Sequence, residues 1–267
     1  MPQVDGPAPL SRRILLRILA AIAGIPLLGR IHPPLAAGGQ LAQADPARGQ
    51  AADVPTLPGE DHPEARARTV HNLKHIAFAL HTFAAKNGGR LPAAAICRGG
   101  ESLLSWRVAI LPFLEEFALY ERFRLDEPWD SPHNRALLME MPRVYAPVRH
   151  GGTAPHATNY QGLVGPGAMF QGPEGTKITE FIDAARPTLM VVEAAHTFPW
   201  TKPEDVPYDA GNPLPKLGGP FDDGFYAALA DGAVRFAGRK VAPETIRALV
   251  SSGDDELKTA DKLSPPL

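Results

Sequence analysis

Apolar positions recur in two different rhythms along this chain, and the change of rhythm divides it. From Pro63 onward, Val70, Leu73, Ile76, Ala77, Leu80 and Phe83–Ala84 fall three and four residues apart. That spacing lays one apolar stripe along a helix. Arg68, Asn72, Lys74 and His75 fill the opposite side, and Gly88-Gly89 ends the helix, because glycine takes the left-handed conformation needed after a last turn. The stretch from Ser105 to Arg124 is aromatic and aliphatic but interrupted by Pro112. It predicts a short segment, a break at Leu111 and a helix from Pro112 to about Phe123. Ser131-Pro132 reads as a helix start, with serine capping and proline at the first helical position. This helix is expected to run through Arg135, Leu138 and Met139 and to end before Pro142.

Beyond that point the chain reads as strands. Thr158 to Val164 and Thr188 to Ala194 are β-branched or aromatic runs bounded by glycine or proline. Phe225 to Ala230 and Ala233 to Ala237 flank Asp231-Gly232, which predicts a two-residue hairpin turn with positive φ at both positions. Pro243 to Val250 is a short helix, and the tail from Ser251 is polar and expected to fray. A helix followed by antiparallel strands is an α+β pattern.

The amino-terminal region follows neither rhythm. Arg12 and Arg13 precede an apolar run from Ile18 to Gly29, and small residues lead to Ala42-Gln43-Ala44. Basic, apolar, then small is the order of a secretory signal peptide with cleavage after Ala44. Ser11-Arg12-Arg13-Ile14-Leu15-Leu16-Arg17 resembles the twin-arginine export signal, with the general secretory route and an uncleaved anchor as alternatives. The apolar run is shorter than the roughly 20 residues that a membrane-spanning helix needs. The chain therefore divides into a leader (1–44), an Ala- and Pro-rich linker (45–62), a folded domain (63–252) and a polar tail (253–267). The expected location is periplasmic or extracellular, with no membrane span in the mature chain.

Composition narrows the function classes. A formal net charge of −2 over 267 residues gives no support to a nucleic-acid partner. One cysteine, Cys97, excludes an intramolecular disulfide and multi-cysteine metal sites, and it has no neighbour that would activate it. Glycine and proline, 25 and 29 residues, predict many short elements joined by structured loops.

Ordered blocks then carry a family resemblance. They are Asn72-Leu73-Lys74-His75-Ile76 with Leu80-His81, Leu104 through Glu115, and Asp126 through Asn134. Thr158-Asn159-Tyr160, Val191 through Ala194, Pro199 through Asp205 and Ala230 through Phe236 follow. Together, over about Val70 to Ser252, the chain resembles the DUF1559 family, prepilin-like proteins of planctomycete bacteria. The resemblance implies a pilin-like fold, an amino-terminal helix packed on an antiparallel sheet, and no established biochemical activity. Two departures stand out. The prepilin motif Gly-Phe-Thr-Leu-Ile-Glu is missing from the sequence, and Phe221 stands where the family places a histidine ten residues before its Asp-Gly.

Candidate site residues each have two readings. Asp126, Glu127, Asp130 and His133 form the tightest polar cluster, suited to a hard cation or, more simply, to capping and loop-bracing. Glu193, in an apolar strand, reads as a functional group, a binding residue or a buried acid of general-acid type, or as an ion-pair partner of Arg107. Trp129 and Trp200, in proline-rich loops, suit stacking on sugars or peptides, or plugging the edge of the core. His71 and His75, four apart on the first helix, share a face; such a pair is a metal chelate or simply two exposed imidazoles. No Walker loop, dinucleotide fingerprint or nucleophile elbow is present, so no catalytic residue, metal or cofactor is assigned. The expectation is an exported, non-enzymatic protein of cell-envelope structure or interaction, its partner an envelope protein or surface polymer. The alternative is a periplasmic or extracellular ligand-binding module using the tryptophan-containing loops.

Overall fold

The computed structural model describes residues 63–148, 155–182, 187–219, 221–250 and 263–265. Arg12, Arg13, Ala42 and Ala44, with the whole leader and linker, lie outside them. Helix α1 (Pro63–Lys86) forms as its apolar stripe predicts, burying Leu73, Ile76, Ala77 and Leu80. It stops where Gly89 takes φ 80° and donates its N–H back to the Ala84 carbonyl at 2.8 Å. Among the described residues no helix is long and apolar enough to cross a membrane.

The next segment departs from expectation. Residues 95–98 and 101–105 form a hairpin, β1 (Ala95–Arg98) and β2 (Glu101–Ser105), that the weak alternation of AICR and ESLLS did not announce. The helix expected from Pro112 to Phe123 is broken. After α2 (Trp106–Ala109) comes a 3₁₀ turn at Leu111–Phe113, and then only α3 (Phe117–Tyr120). The break sits at Glu115, whose φ of 63° is left-handed, a conformation that a right-handed helix cannot contain. Helix α4 (Pro132–Leu137) has the predicted serine cap, with Ser131 Oγ accepting from the Asn134 N–H, and it tightens into a 3₁₀ turn before Pro142.

The strands β3 (Ala157–Val164), β4 (Leu189–Pro199), β5 (Val206–Pro207), β6 (Gly224–Leu229) and β7 (Val234–Gly238) make one sheet in the order β5-β3-β4-β6-β7. A further short helix, α5 (Thr179–Ile182), lies between β3 and β4. The sheet is antiparallel except for β5, which runs parallel to β3. β4 is longer than expected because it bulges. Thr158 pairs with Phe198 and Tyr160 with Glu193, so Ala194 to Thr197 face Asn159 alone, and Ala194 bridges instead to Leu217.

The β6–β7 hairpin differs from its expected form. Only Gly232 of the pair has positive φ, 83°; its N–H bonds to Leu229 O, and Leu229 N–H bonds to Ala233 O. Ala230-Asp231-Gly232 is therefore a three-residue loop, an ordinary turn followed by one left-handed glycine, with Asp231 Oδ1 accepting from the Ala233 N–H. Helix α6 (Pro243–Val250) forms as predicted. Most of the tail expected to fray lies outside the described residues; within 263–265, Ser264 exchanges both backbone hydrogen bonds with Phe236 at 3.0 and 3.1 Å, and Leu263 is buried.

The sheet has a core on each face. Alternate residues of β6 show it: Tyr226 and Ala228 join α1, Trp106 and Trp200, while Phe225, Ala227 and Leu229 join Ile246, Leu249 and Val250 of α6. A strand covered on both sides reads as an unbroken apolar run, which is why Gly224–Leu229 is buried at every position.

Candidate functional site

The densest polar chemistry lies beneath α1. Thr69 and Asn72 are three apart, so they present side chains to the same face. Tyr160 and Glu193 are register partners on β3 and β4, so theirs share a side of the sheet. All four are buried and meet there. Asn72 Nδ2 donates to Tyr160 Oη at 3.2 Å, and Thr69 Oγ1 donates to Glu193 Oε1 at 2.5 Å. Thr69 has a single hydroxyl proton, so in the 2.7 Å bond between the two hydroxyls Tyr160 must be the donor. The Tyr226 backbone N–H completes the set at Glu193 Oε2, 2.8 Å away. The result is a relay of hydrogen bonds running one way, from helix to strand and ending on an acid.

The electrostatics follow from enclosure. Burial pushes the Glu193 carboxyl up to about 7, opposed by the Thr69 and Tyr226 hydrogen bonds and by the charge of Arg66. Burial also raises the Tyr160 phenol, and the Glu193 charge adds to the effect. Arg66, one turn earlier on α1, points its guanidinium at Asp223 (2.8 Å) and Tyr226 Oη (3.3 Å). The same group lies 4.8 Å from the Phe221 ring centre. Phe221 thus offers a cation an aromatic face, not the imidazole that the family resemblance leads one to expect there.

Glu193 does not pair with Arg107, contrary to one of its two sequence readings. Tyr160 turns its side chain toward α1 and its carbonyl toward the strand edge, and Arg107 reaches that carbonyl from α2 through Nε (3.0 Å) and Nη2 (2.7 Å). The partner of Arg107 is Asp205, 2.7 Å away, with side-chain exposures of 0% and 3%. Asp205 also accepts from the Gly162 N–H and the Trp106 indole, while Arg107 Nη1 donates to Ser105 Oγ. Burial raises the Asp205 carboxyl, and Arg107 pulls it back. Asp205 is the polar residue that sequence reading missed. It sits in the Pro199–Asp205 block, but nothing in a loop acid announces an arginine 98 positions away.

The other candidates separate. Trp200 is fully buried; its ring stacks on Tyr145 with centres 5.7 Å apart, and its indole N–H bonds to Leu138 O. Trp129 is half-buried against the same core, with the Lys202 ammonium 5.9 Å from its ring. Asp126 pairs with Arg98 in solvent, Asp130 is exposed, and His133 Nε2 bonds to Arg122 O. Glu127 takes hydrogen bonds from Arg124 and Ser131, which hold its carboxyl below the usual range. The polar cluster is braced through buried Asn134, whose amide bonds to Arg124 O, Glu127 O and Pro128 O. Among the described residues no group of three His, Cys, Asp or Glu is placed to hold a metal ion.

Hollows open on the surface of the described residues. One, of about 270 Å³, lies between Gly218, Phe221, Gly224 and Ile246; a wider one, of about 620 Å³, lies between Arg122, Phe123, His133 and Leu137. Neither is lined by Glu193, Tyr160, Arg107, Asp205 or either loop tryptophan.

No curated protein and no solved structure matches the chain. Residues 64–147 match the model of a family described as protein of unknown function (DUF1559). That span runs from α1 through the Arg107 and Asn134 blocks; the blocks from Thr158 onward lie beyond it. From α1 to the end of the helical half, then, the chain is similar to DUF1559, as its ordered blocks led one to expect.

Proposed function

We propose that this chain is an exported, non-enzymatic protein of cell-envelope structure or interaction, with α1 laid on the sheet in a pilin-like arrangement. The observation that carries the reading is the inward commitment of its chemistry. Glu193, Tyr160, Arg107 and Asp205 are hydrogen-bonded to one another's neighbours and to backbone, away from both hollows. A general acid must reach the proton that its substrate gains or loses, and a carboxylate sealed beneath a helix reaches none. The leader pattern at Arg12-Arg13 and Ala42-Gln43-Ala44 supports export.

Expression of the tagged full chain in a bacterium with both export routes tests this. A shortened product in the envelope fraction, cross-linked there to a protein or surface polymer, is the expected result. Full-length protein held in the cytosol overturns the reading. Replacing Arg12 and Arg13 by lysine is expected to retain the chain inside; unchanged export removes the twin-arginine route alone.

Trp129 favours a second reading, a periplasmic or extracellular ligand-binding module. Its half-buried ring and the adjacent Lys202 offer an aromatic face beside a cation. Quenching or shift of tryptophan fluorescence by oligosaccharides or peptides, lost in Trp129→Ala, would favour it; no change removes it.

A further inference from the structure

The outer side of α1 carries a second constellation, independent of the buried relay. His71 is exposed and His75 half-buried, one helical turn apart. Their ring centres are 4.0 Å apart with planes inclined at 49°. Packed aromatic rings prefer centre separations of roughly 4.5 to 7 Å. These two are nearer and tilted, so the imidazoles lie in contact across one helical turn. Neither ring makes a hydrogen bond to a described residue, unlike His133, whose Nε2 bonds to Arg122 O.

A third group, on another element, acts on His75 through its charge. Glu115, in the left-handed turn between the 3₁₀ segment and α3, is near enough for its charge to favour protonated His75. Burial and the neighbouring His71 act more strongly in the opposite direction.

We infer that His71 and His75 form a two-imidazole chelate for a divalent transition-metal ion on the outer face of α1, with Glu115 contributing negative charge at its edge. Imidazole nitrogen suits zinc, copper and nickel, whereas magnesium and calcium take oxygen ligands. Two protein ligands leave the remaining positions to water or to a group on a partner. This is an exchangeable surface site, not a closed structural one.

Zinc chloride titrated calorimetrically into the purified full chain at pH 7.5 tests the site, with His71→Ala, His75→Ala and His133→Ala in parallel. One ion is expected to bind, with affinity weakened on the order of tenfold or more in each of the first two variants and unchanged in His133→Ala. Equal affinity in wild type and His75→Ala, or loss confined to His133→Ala, overturns the inference. Substoichiometric nickel, followed by proton NMR of the wild-type chain, makes the test independent of variant folding. The ring protons of His71 and His75 are expected to broaden first; earlier broadening of any other histidine overturns the assignment.

Discussion

Glu193 and Asp205 are both enclosed carboxylates, and the protein accommodates them in different ways. Asp205 has a guanidinium at 2.7 Å, an indole N–H and a backbone N–H, and it ties α2, β3 and the strand β5 together. Among the described residues Glu193 accepts from one hydroxyl and one backbone N–H, and the charge of Arg66 acts on it while that guanidinium bonds to Asp223. An opposite charge in contact offsets the cost of leaving water; neutral donors offset less of it. Glu193 therefore sits at about 7, where it changes charge near neutrality, while Asp205 is one half of a fixed pair. One carboxylate fastens the fold, and the other makes the seam beneath α1 sensitive to protons.

Breaking the fixed pair should have the largest effect. Arg107→Ala leaves Asp205 buried without its cation and should cost about 3 to 5 kcal/mol, read as a shift in the urea midpoint at constant slope. A loss below 1 kcal/mol would show that the pair is not what fastens this edge.

The second prediction concerns pH. The folded-state value of Glu193, about 7, lies above its ordinary 4.5, so its contribution is fully present below 4.5 and is lost as pH rises through 7. Buried His81 is held near 4 by desolvation, below its ordinary 6.5, so its contribution is present above 6.5 and is lost as pH falls through 4. Each amounts to about 3 kcal/mol, and they oppose each other between 4.5 and 6.5. The wild-type curve should be nearly flat in that window. Glu193→Gln should leave a fall in stability toward acid, and His81→Gln a rise. Parallel curves for all three proteins would remove the assignment.

Thr69→Val removes the donor that ends the relay. It should cost about 1 to 3 kcal/mol, more at pH 8 than at pH 5, because only ionised Glu193 relies on that bond. Equal loss at both pH values would mean that Glu193 is already neutral. The smallest effect is expected at Arg98–Asp126, a pair nearly as short as the buried one, 2.9 Å against 2.7 Å, but exposed on both sides. Arg98→Ala should change stability by about 0.5 kcal/mol or less, so a larger change would show that distance matters here more than burial.

Sequence reading reached the elements whose signals are local. The stripe of α1, its Gly88-Gly89 stop, the Ser131 cap and the limits of α6 all depend on residues within a turn or two of each other. It failed where the backbone does something that its residue types do not advertise. Glu115 in a left-handed conformation ends a helix that the apolar pattern would have continued. The Ala194–Thr197 bulge makes room for contacts with residues 216–218, far along the chain. The strands of the sheet were legible as apolar runs, yet nothing in such runs says which face meets α1 and which meets α6.

The candidate site divides along the same line. That Glu193 is a carboxylate in an apolar strand, and so a perturbed acid, was legible from its neighbours. That it ends a relay from Thr69, Tyr160 and Asn72, and that Arg107 belongs to Asp205, was not. Those contacts join positions 88 to 124 residues apart, Asn72–Tyr160 being the nearest and Thr69–Glu193 the farthest. By itself the amino-acid order determined the helix, the strands and the chemical character of the buried groups, because propensity, capping and apolar period act over a few residues. Which buried charge meets a counter-charge and which meets only hydroxyls was decided by packing. Electrostatic partnership depends on distance through space, and that distance exists only once the sheet has closed against α1.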